Sequence, residues 1–306
     1  MSVSTLMQKI KEKENPSVVG LDPILDYIPD FIKERCFNEM GKTPEGACLA
    51  ITEFNMGLID ALCDVVPAVK PQIAFYEAFG WCGMRAFDET VKYAAKKGLY
   101  VIADAKRGDI GSTATAYAKA FLGQCDIDGS KYNAFNADAV TVNAYLGSDG
   151  VVPFVKECEK GRMIFVLVKT SNPSSGELQD IEADGIAVYR RMAGLVSEWG
   201  KGLKRENGYS EVGAVIGATY PRQLAELREY MDGVFFLVPG YGAQGGSAKD
   251  VSGAFDKRGE GAVINSSRGI MCAYKNGSFD GRDYAKAARI EALRMKDELN
   301  RCIANK

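Results

Sequence analysis

The sequence predicts an α/β fold, a (β/α)₈ TIM barrel in a single domain, on three observations. Short apolar runs rich in Val, Ile, Phe and Ala recur eight times along the 306 residues. Amphipathic stretches lie between them, and such alternation requires parallel crossovers. Polar residues cluster just past the apolar runs, where a barrel of this kind gathers its reactive groups. An open doubly wound sheet is the competing architecture, but no G-x-G-x-x-G follows the first run. Length alone would allow two domains; barrels often run this long as one.

In chain order, a charged helix is expected over about 1–15, the barrel over about 16–275 and a closing helix over about 282–304. Strands are expected near Val18–Leu21, Ala68–Lys70, Leu99–Asp104, Ala139–Asn143, Met163–Val168, Val212–Ile216, Val234–Val238 and Ala262–Asn265. Each is close to a continuous apolar run, the mark of a strand covered on both faces. Apolar spacing predicts helices at Ile51–Val65, Phe79–Lys97, Thr113–Leu122, Gly185–Trp199 and Pro221–Met231. Glu34–Ala47 reads as an insertion and Lys201–Ser210 as a polar loop. In the closing helix, Ala288, Leu293, Met295 and Leu299 are expected to pack on the barrel. Phe75, Tyr76, Phe79 and Trp81 read as core or as packing between subunits.

Composition removes several function classes. The net charge of −2 offers no basic surface for nucleic acid. No apolar stretch approaches the roughly 20 residues of a membrane span, and residues 1–15 are unlike a signal peptide. The eight cysteines form no C-x-x-C pair, so neither a zinc site nor a disulfide framework is indicated, and reduced cytoplasmic thiols are the natural reading. Histidine is absent. Ser-His-Asp and Cys-His catalysis are therefore impossible, and proton chemistry falls on Lys, Asp, Glu, Tyr or Cys.

Residues 101–113, Val-Ile-Ala-Asp-Ala-Lys-Arg-Gly-Asp-Ile-Gly-Ser-Thr, meet that demand. Asp104 and Lys106 lie two apart on a strand and point the same way. Asp109 lies past the strand end, where Gly108 and Gly111 allow a turn back toward them. An ammonium between two carboxylates stays protonated and aimed, as proton donation to carbon requires. The bland reading is an ion-pair network at a strand end. Two later segments suit phosphate. Pro239–Gly246 carries glycines that let backbone N–H groups approach an anion. Asn265–Gly269 supplies hydroxyls and the Arg268 guanidinium. Loops after strands seven and eight are the usual phosphate site of such barrels.

The Asp104-x-Lys106-x-x-Asp109 run, the Pro-Gly-x-Gly-Ala-Gln-Gly-Gly loop and Arg268, in that order, resemble the orotidine 5′-phosphate decarboxylase family. The string Asp-Ala-Lys-Arg-Gly-Asp-Ile-Gly-Ser-Thr is similar to its longer bacterial (type 2) branch, and the likeness runs from Val18-Val19-Gly20-Leu21-Asp22-Pro23 through Arg268. The resemblance implies conversion of orotidine 5′-phosphate to UMP and carbon dioxide, the last step of pyrimidine nucleotide synthesis, with no metal and no organic cofactor. Lys106 would donate a proton to pyrimidine C6, with Asp104 beside the departing carboxylate. Lys70 and Asp22 would hold each other and the ribose hydroxyls. Asp109 and Thr113 would reach into the partner's site in a homodimer, completing a Lys-Asp-Lys-Asp array. Ser171 would meet the pyrimidine amide edge, and Gln244, Gly245, Ser267 and Arg268 the phosphate. Asn143 is given no role. On the residues alone, the alternative for Asp22 is a helix cap and for Lys70 a snorkelling surface cation.

Two other functions compete. A magnesium-dependent sugar-phosphate decarboxylase or isomerase on the same barrel would need an acidic ligand after the second strand, where this chain has Lys70. A non-catalytic nucleotide-phosphate binding protein would need Arg268 and Gln244 but no lysine between carboxylates.

Overall fold

Eight buried apolar runs, none able to satisfy its backbone alone, pair edge to edge until no edge is left. In the computed structural model, which describes residues 1–242, 245–277 and 279–305, they are β1 (Ser17–Leu21), β2 (Ala68–Pro71), β3 (Tyr100–Arg107), β4 (Ala139–Val142), β5 (Met163–Lys169), β6 (Val212–Ile216), β7 (Phe236–Val238) and β8 (Ala262–Ser266). They form one closed barrel of parallel strands. Closure is made by β1 against β8, with Val18 opposite Asn265. This is the (β/α)₈ barrel, and closure removes the open-sheet alternative.

Alternation divides the strand residues between two cores. Val18, Tyr100, Phe165, Phe235 and Val263 pack with one another inside the barrel, and Val3 and Leu6 of the helix Val3–Lys13 join them. That helix covers the N-terminal mouth, where Val3 N–H donates to Glu211, the residue just before β6. The opposite residues, such as Val19, Val69 and Val101, pack against the outer helices. With the floor plugged, ligand access is left to the C-terminal rim.

Several expectations are corrected. Residues 34–47 are not an insertion but belong to two helices, Asp30–Met40 and Pro44–Leu62. Thr43 caps the second, accepting from Gly46 N–H, and Pro44 occupies its first turn. A helix at Ser148–Cys158 and two hairpins, Cys125–Ile127 with Ser130–Tyr132 and Glu182–Ala183 with Ile186–Ala187, had no counterpart in the sequence reading. Both hairpins turn on Asp-Gly (Asp128-Gly129 and Asp184-Gly185) with positive φ at each residue, the pair that favours a tight turn between antiparallel strands. The second hairpin takes the residues expected to open the helix, which begins at Val188. In the closing helix Tyr284–Ala304, Ala288, Met295 and Leu299 are buried, but Leu293 is 39% exposed because it falls off that stripe.

One glycine fixes a side chain of the rim. A Cβ at Gly20 in β1 would lie 1.9 Å from Ser267 Oγ and 2.8 Å from Ser267 Cβ. Gly20→Ala is expected to destabilise the chain by about 1–3 kcal/mol through overpacking, measured by urea unfolding; an unchanged midpoint would contradict this packing.

Candidate active site

Strand β3 delivers the first charged groups to the rim and then departs from regular geometry. Its register against β4 shifts between Ala103 and Arg107, and Lys106 adopts a left-handed backbone with φ 48°. A lysine in that region stores local strain. The strain is held by Thr141 of β4, whose Oγ1 accepts the N–H groups of both Ala105 (3.0 Å) and Lys106 (2.9 Å) and donates to Asp104 Oδ1 at 2.9 Å. One buried hydroxyl thus fixes the bulge and the carboxylate together.

Asp104 is the hub. Lys106 Nζ lies 2.6 Å from its Oδ1, Lys70 Nζ 2.7 Å from its Oδ2, and Gln72 Nε2 donates to Oδ2 at 2.9 Å. Asp22 stands 3.9 Å from Lys70 Nζ. The order is therefore Asp22, Lys70, Asp104, Lys106. Within one chain a carboxylate sits between two ammonium groups, whereas the sequence suggested an ammonium between Asp104 and Asp109. Asp109 is not folded back: its Oδ1 accepts from the N–H of Ile110 at 2.7 Å, and neither it nor Thr113 lines the cavity that the hub faces. Gly108 is pinned against Asn143, whose carbonyl oxygen would lie 2.2 Å from a Cβ there, and the chain passes into the helix Gly111–Phe121.

Burial opposes the charge on Asp104, yet the adjoining Lys70 and Lys106 outweigh it and hold the carboxyl well below the usual range. Burial likewise works against the Lys70 ammonium, and Asp104 followed by Asp22 reverse the effect and raise it. Lys70 is thus a buried, paired cation rather than a snorkelling one. Asp22 caps nothing, since the turn Leu25–Tyr27 and the helix Asp30–Met40 have no side-chain cap.

The cavity at this rim has a volume of about 660 Å³. Asp22, Lys70, Asp104 and Lys106 line one side; Ser171, Ser267 and Arg268 also line it. Ser171 is set by Gly217, where a Cβ would lie 2.7 Å from the Ser171 backbone N, and by Thr219 Oγ1, which donates to its carbonyl at 3.1 Å. Gln244 lies outside the described residues. Gly245 does not line the cavity, and its N–H is spent on Gly242 O at 2.8 Å. Those of Gly242 and Gly246 are spent within the same loop. Three of the glycine N–H groups expected to meet an anion are thus taken up inside the loop, while Gly240 and Tyr241 line the cavity. Asn143 does not line the cavity, and its Oδ1 accepts from Tyr145 N–H.

Thr141 and Gln72 line the cavity and were not singled out from the sequence; Asn265, at the head of the segment expected to take phosphate, lines it too, as does Phe75, expected only to pack. For Thr141 and Gln72 the signal was position alone, at or just past a strand end. Buried Asn265 Oδ1 and Asp22 Oδ1 have no hydrogen-bond partner among the described residues. Such atoms call for a donor, and a ligand's hydroxyls would supply one. Among the described residues no cluster of three or more Cys, Asp or Glu is placed to hold a metal ion, and all eight cysteines are free thiols.

A family model for the Orotidine 5′-phosphate decarboxylase / HUMPS family matches residues 48–278. The chain belongs to this family. The orotidine 5′-phosphate decarboxylase of Rhodopirellula baltica is 46% identical over 286 residues, 92% of this chain and 93% of that one. A crystal structure from Toxoplasma gondii, assigned as an orotidine-monophosphate-decarboxylase, superposes with a TM-score of 0.80 at 31% identity, over 100% of this chain and 99% of that one. The Leishmania donovani OMP decarboxylase gives 0.71 at 32% identity, over 97% and 100%. The family resemblance and the barrel read from the sequence both stand.

The charge arrangement has a consequence for stability in this orotidine 5′-phosphate decarboxylase family member. Asp104 titrates lower folded than unfolded, so its stabilisation is present above the ordinary aspartate value and is lost as pH falls through its folded one. Lys70 titrates higher, so its stabilisation is present below its ordinary 10.5 and is lost as pH rises through its folded value. Guanidinium unfolding is expected to show stability falling below about pH 4, with a flatter acid limb in Asp104→Asn; equal acid limbs would contradict the assignment.

Proposed function

We propose that the chain decarboxylates orotidine 5′-phosphate to UMP and carbon dioxide, without a metal, at the rim around Asp104. The observation that carries this reading is Lys106 Nζ, paired with Asp104 at 2.6 Å while the lysine side chain is 43% exposed at the cavity. The C6–carboxylate bond breaks, its electron pair stays on C6 in the plane of the ring, and Lys106 transfers a proton to that carbon. No π system delocalises the charge, so a preorganised cation is the available stabiliser. A single contact near 4 Å at an effective dielectric of about 20 is worth roughly 4 kcal/mol, close to a thousandfold in rate. The remainder must come from binding energy of the distant phosphate, realised in the transition state.

In this reading Asp104 flanks the departing carboxylate, and Asp22 and Lys70 hold the ribose hydroxyls. Ser171 meets the pyrimidine amide, and Gln244, Ser267 and Arg268 take the phosphate. Asp109 and Thr113, away from their own chain's cavity, complete the site of a second copy. Exposed Trp81, Ile110, Tyr145 and Leu146 offer apolar area for that homodimer. The reaction is read as the last step of pyrimidine nucleotide synthesis in the cytoplasm. No helix among the described residues is long and apolar enough to cross a membrane. A magnesium-dependent sugar-phosphate reaction is disfavoured because Lys70 puts a buried cation between Asp22 and Asp104. A pure binding role leaves the strained Lys106 unexplained.

Lys106→Ala is expected to reduce turnover at least a thousandfold and to keep UMP affinity within about tenfold, measured by carbon dioxide release and calorimetry; near-normal turnover would remove Lys106 from the mechanism. Mixing Lys106→Ala with Asp109→Ala chains is expected to restore part of the activity through hybrid dimers. No recovery after demonstrated subunit exchange would place Asp109 outside the partner's site.

A further inference from the structure

Lys169, the last residue of β5, is fully buried, does not line the cavity, and has no part in the chemistry above. Its Nζ lies 2.7 Å from Asp180 Oδ1, 4.5 Å from the ring centroid of Tyr220 and 5.6 Å from that of Tyr189. A buried ammonium needs an opposite charge, and the two ring faces add a weaker attraction. Asp180 lies 11 positions along the chain, so meeting that need folds the intervening segment back on itself.

A second rung lies beside the first. Thr170 N–H donates to Gln179 Oε1 at 2.9 Å, and Gln179 Nε2 donates to Thr170 Oγ1 at 2.7 Å. The two rungs close residues 169–180 into a loop fastened at its neck. Thr170, Ser171, Asn172 and Gln179, all on that loop, wall the cavity. Tyr220 ties the next rim loop to it, through Ser175 Oγ at 3.1 Å and the Asn172 carbonyl at 3.4 Å. Gln223 Nε2 approaches Asp180 Oδ1 at 3.4 Å.

We propose that Lys169 and Asp180 form a positioning clasp that holds Ser171 where the amide edge of the pyrimidine is read, and so govern recognition of the base rather than of the phosphate. This rests on the reading above, in which Ser171 meets the base and Arg268 the phosphate. The clasp places its cation in the rigid barrel wall and its anion, 41% exposed, on the loop. Losing the charge on the loop therefore loosens the loop neck, leaving it to the Thr170–Gln179 rung, and keeps the wall in place.

The test compares two probes, UMP and ribose 5-phosphate, which share the phosphate and sugar and differ by the base. In Asp180→Asn, UMP affinity is expected to fall at least tenfold while ribose 5-phosphate affinity stays within twofold. KM for orotidine 5′-phosphate should rise more than kcat falls. Asp180→Glu, which keeps the charge, should recover UMP affinity to within about threefold. Lys169→Met, which removes the buried charge without leaving it unpaired, should reproduce the Asp180→Asn pattern and decides the matter if that variant does not fold. UMP affinity unchanged in both variants, or ribose 5-phosphate weakened in step with UMP, would overturn the clasp. An unmodified chain that releases no carbon dioxide from orotidine 5′-phosphate would overturn the parent reading and the clasp's role with it.

Discussion

A carboxylate shut away from water between two ammonium groups is the constraint from which the rest of the rim follows. Asp104 alone would be costly where it lies, and so would Lys70. Together, with Lys106 on the second oxygen, they form a set in which each charge is the others' solvent. Such a set tolerates little displacement, because breaking a buried pair costs about 3–5 kcal/mol. Thr141, Gln72 and the bulge in β3 are the means by which the backbone meets that demand. The positive φ of Lys106 is the accompanying strain: the bulge keeps Nζ on Asp104 while the side chain stays open to the cavity.

The barrel makes this arrangement possible by bringing distant strand ends to one ring. Asp22 follows β1, Lys70 lies in β2, Asp104 and Lys106 in β3, and Thr141 in β4. The far part of the ring is built differently. Beyond β5, β6 and β8, glycines at close approaches, Gly217 and Gly20, press against Ser171 and Ser267, and the Lys169–Asp180 pair fastens the loop that carries Ser171. The near part of the rim is thus a connected set of charges, whereas the far part combines close backbone contacts with a single ion pair, on buried Lys169, set back from the cavity.

Much of this was legible in the sequence because its signals are local. Continuous apolar runs gave the strands to within a few residues, and the charges after them marked the rim. What escaped was local as well but carried by turn chemistry: Thr43-Pro44 opens a helix, and Asp128-Gly129 and Asp184-Gly185 each close a hairpin. The pairing of Lys106 with Asp104 was expected from simple alternation, and it is reached through a bulge that no spacing rule contains. The return of Asp109 failed because a glycine permits a turn without dictating its direction; the contact of Gly108 with Asn143 is made across strands. Thr141 and Gln72 carry no distinguishing residue type, and only three-dimensional neighbours single them out.

The central claim is that the protein's own cations, Lys106 foremost, stabilise the carbon left when carbon dioxide departs. It is tested most directly by the purified chain, dialysed exhaustively against a chelator, mixed with orotidine 5′-phosphate and followed by loss of substrate absorbance together with carbon dioxide release. Full turnover in the absence of metal is the predicted result. Turnover that appears only when magnesium is restored, or none under either condition, would contradict the account.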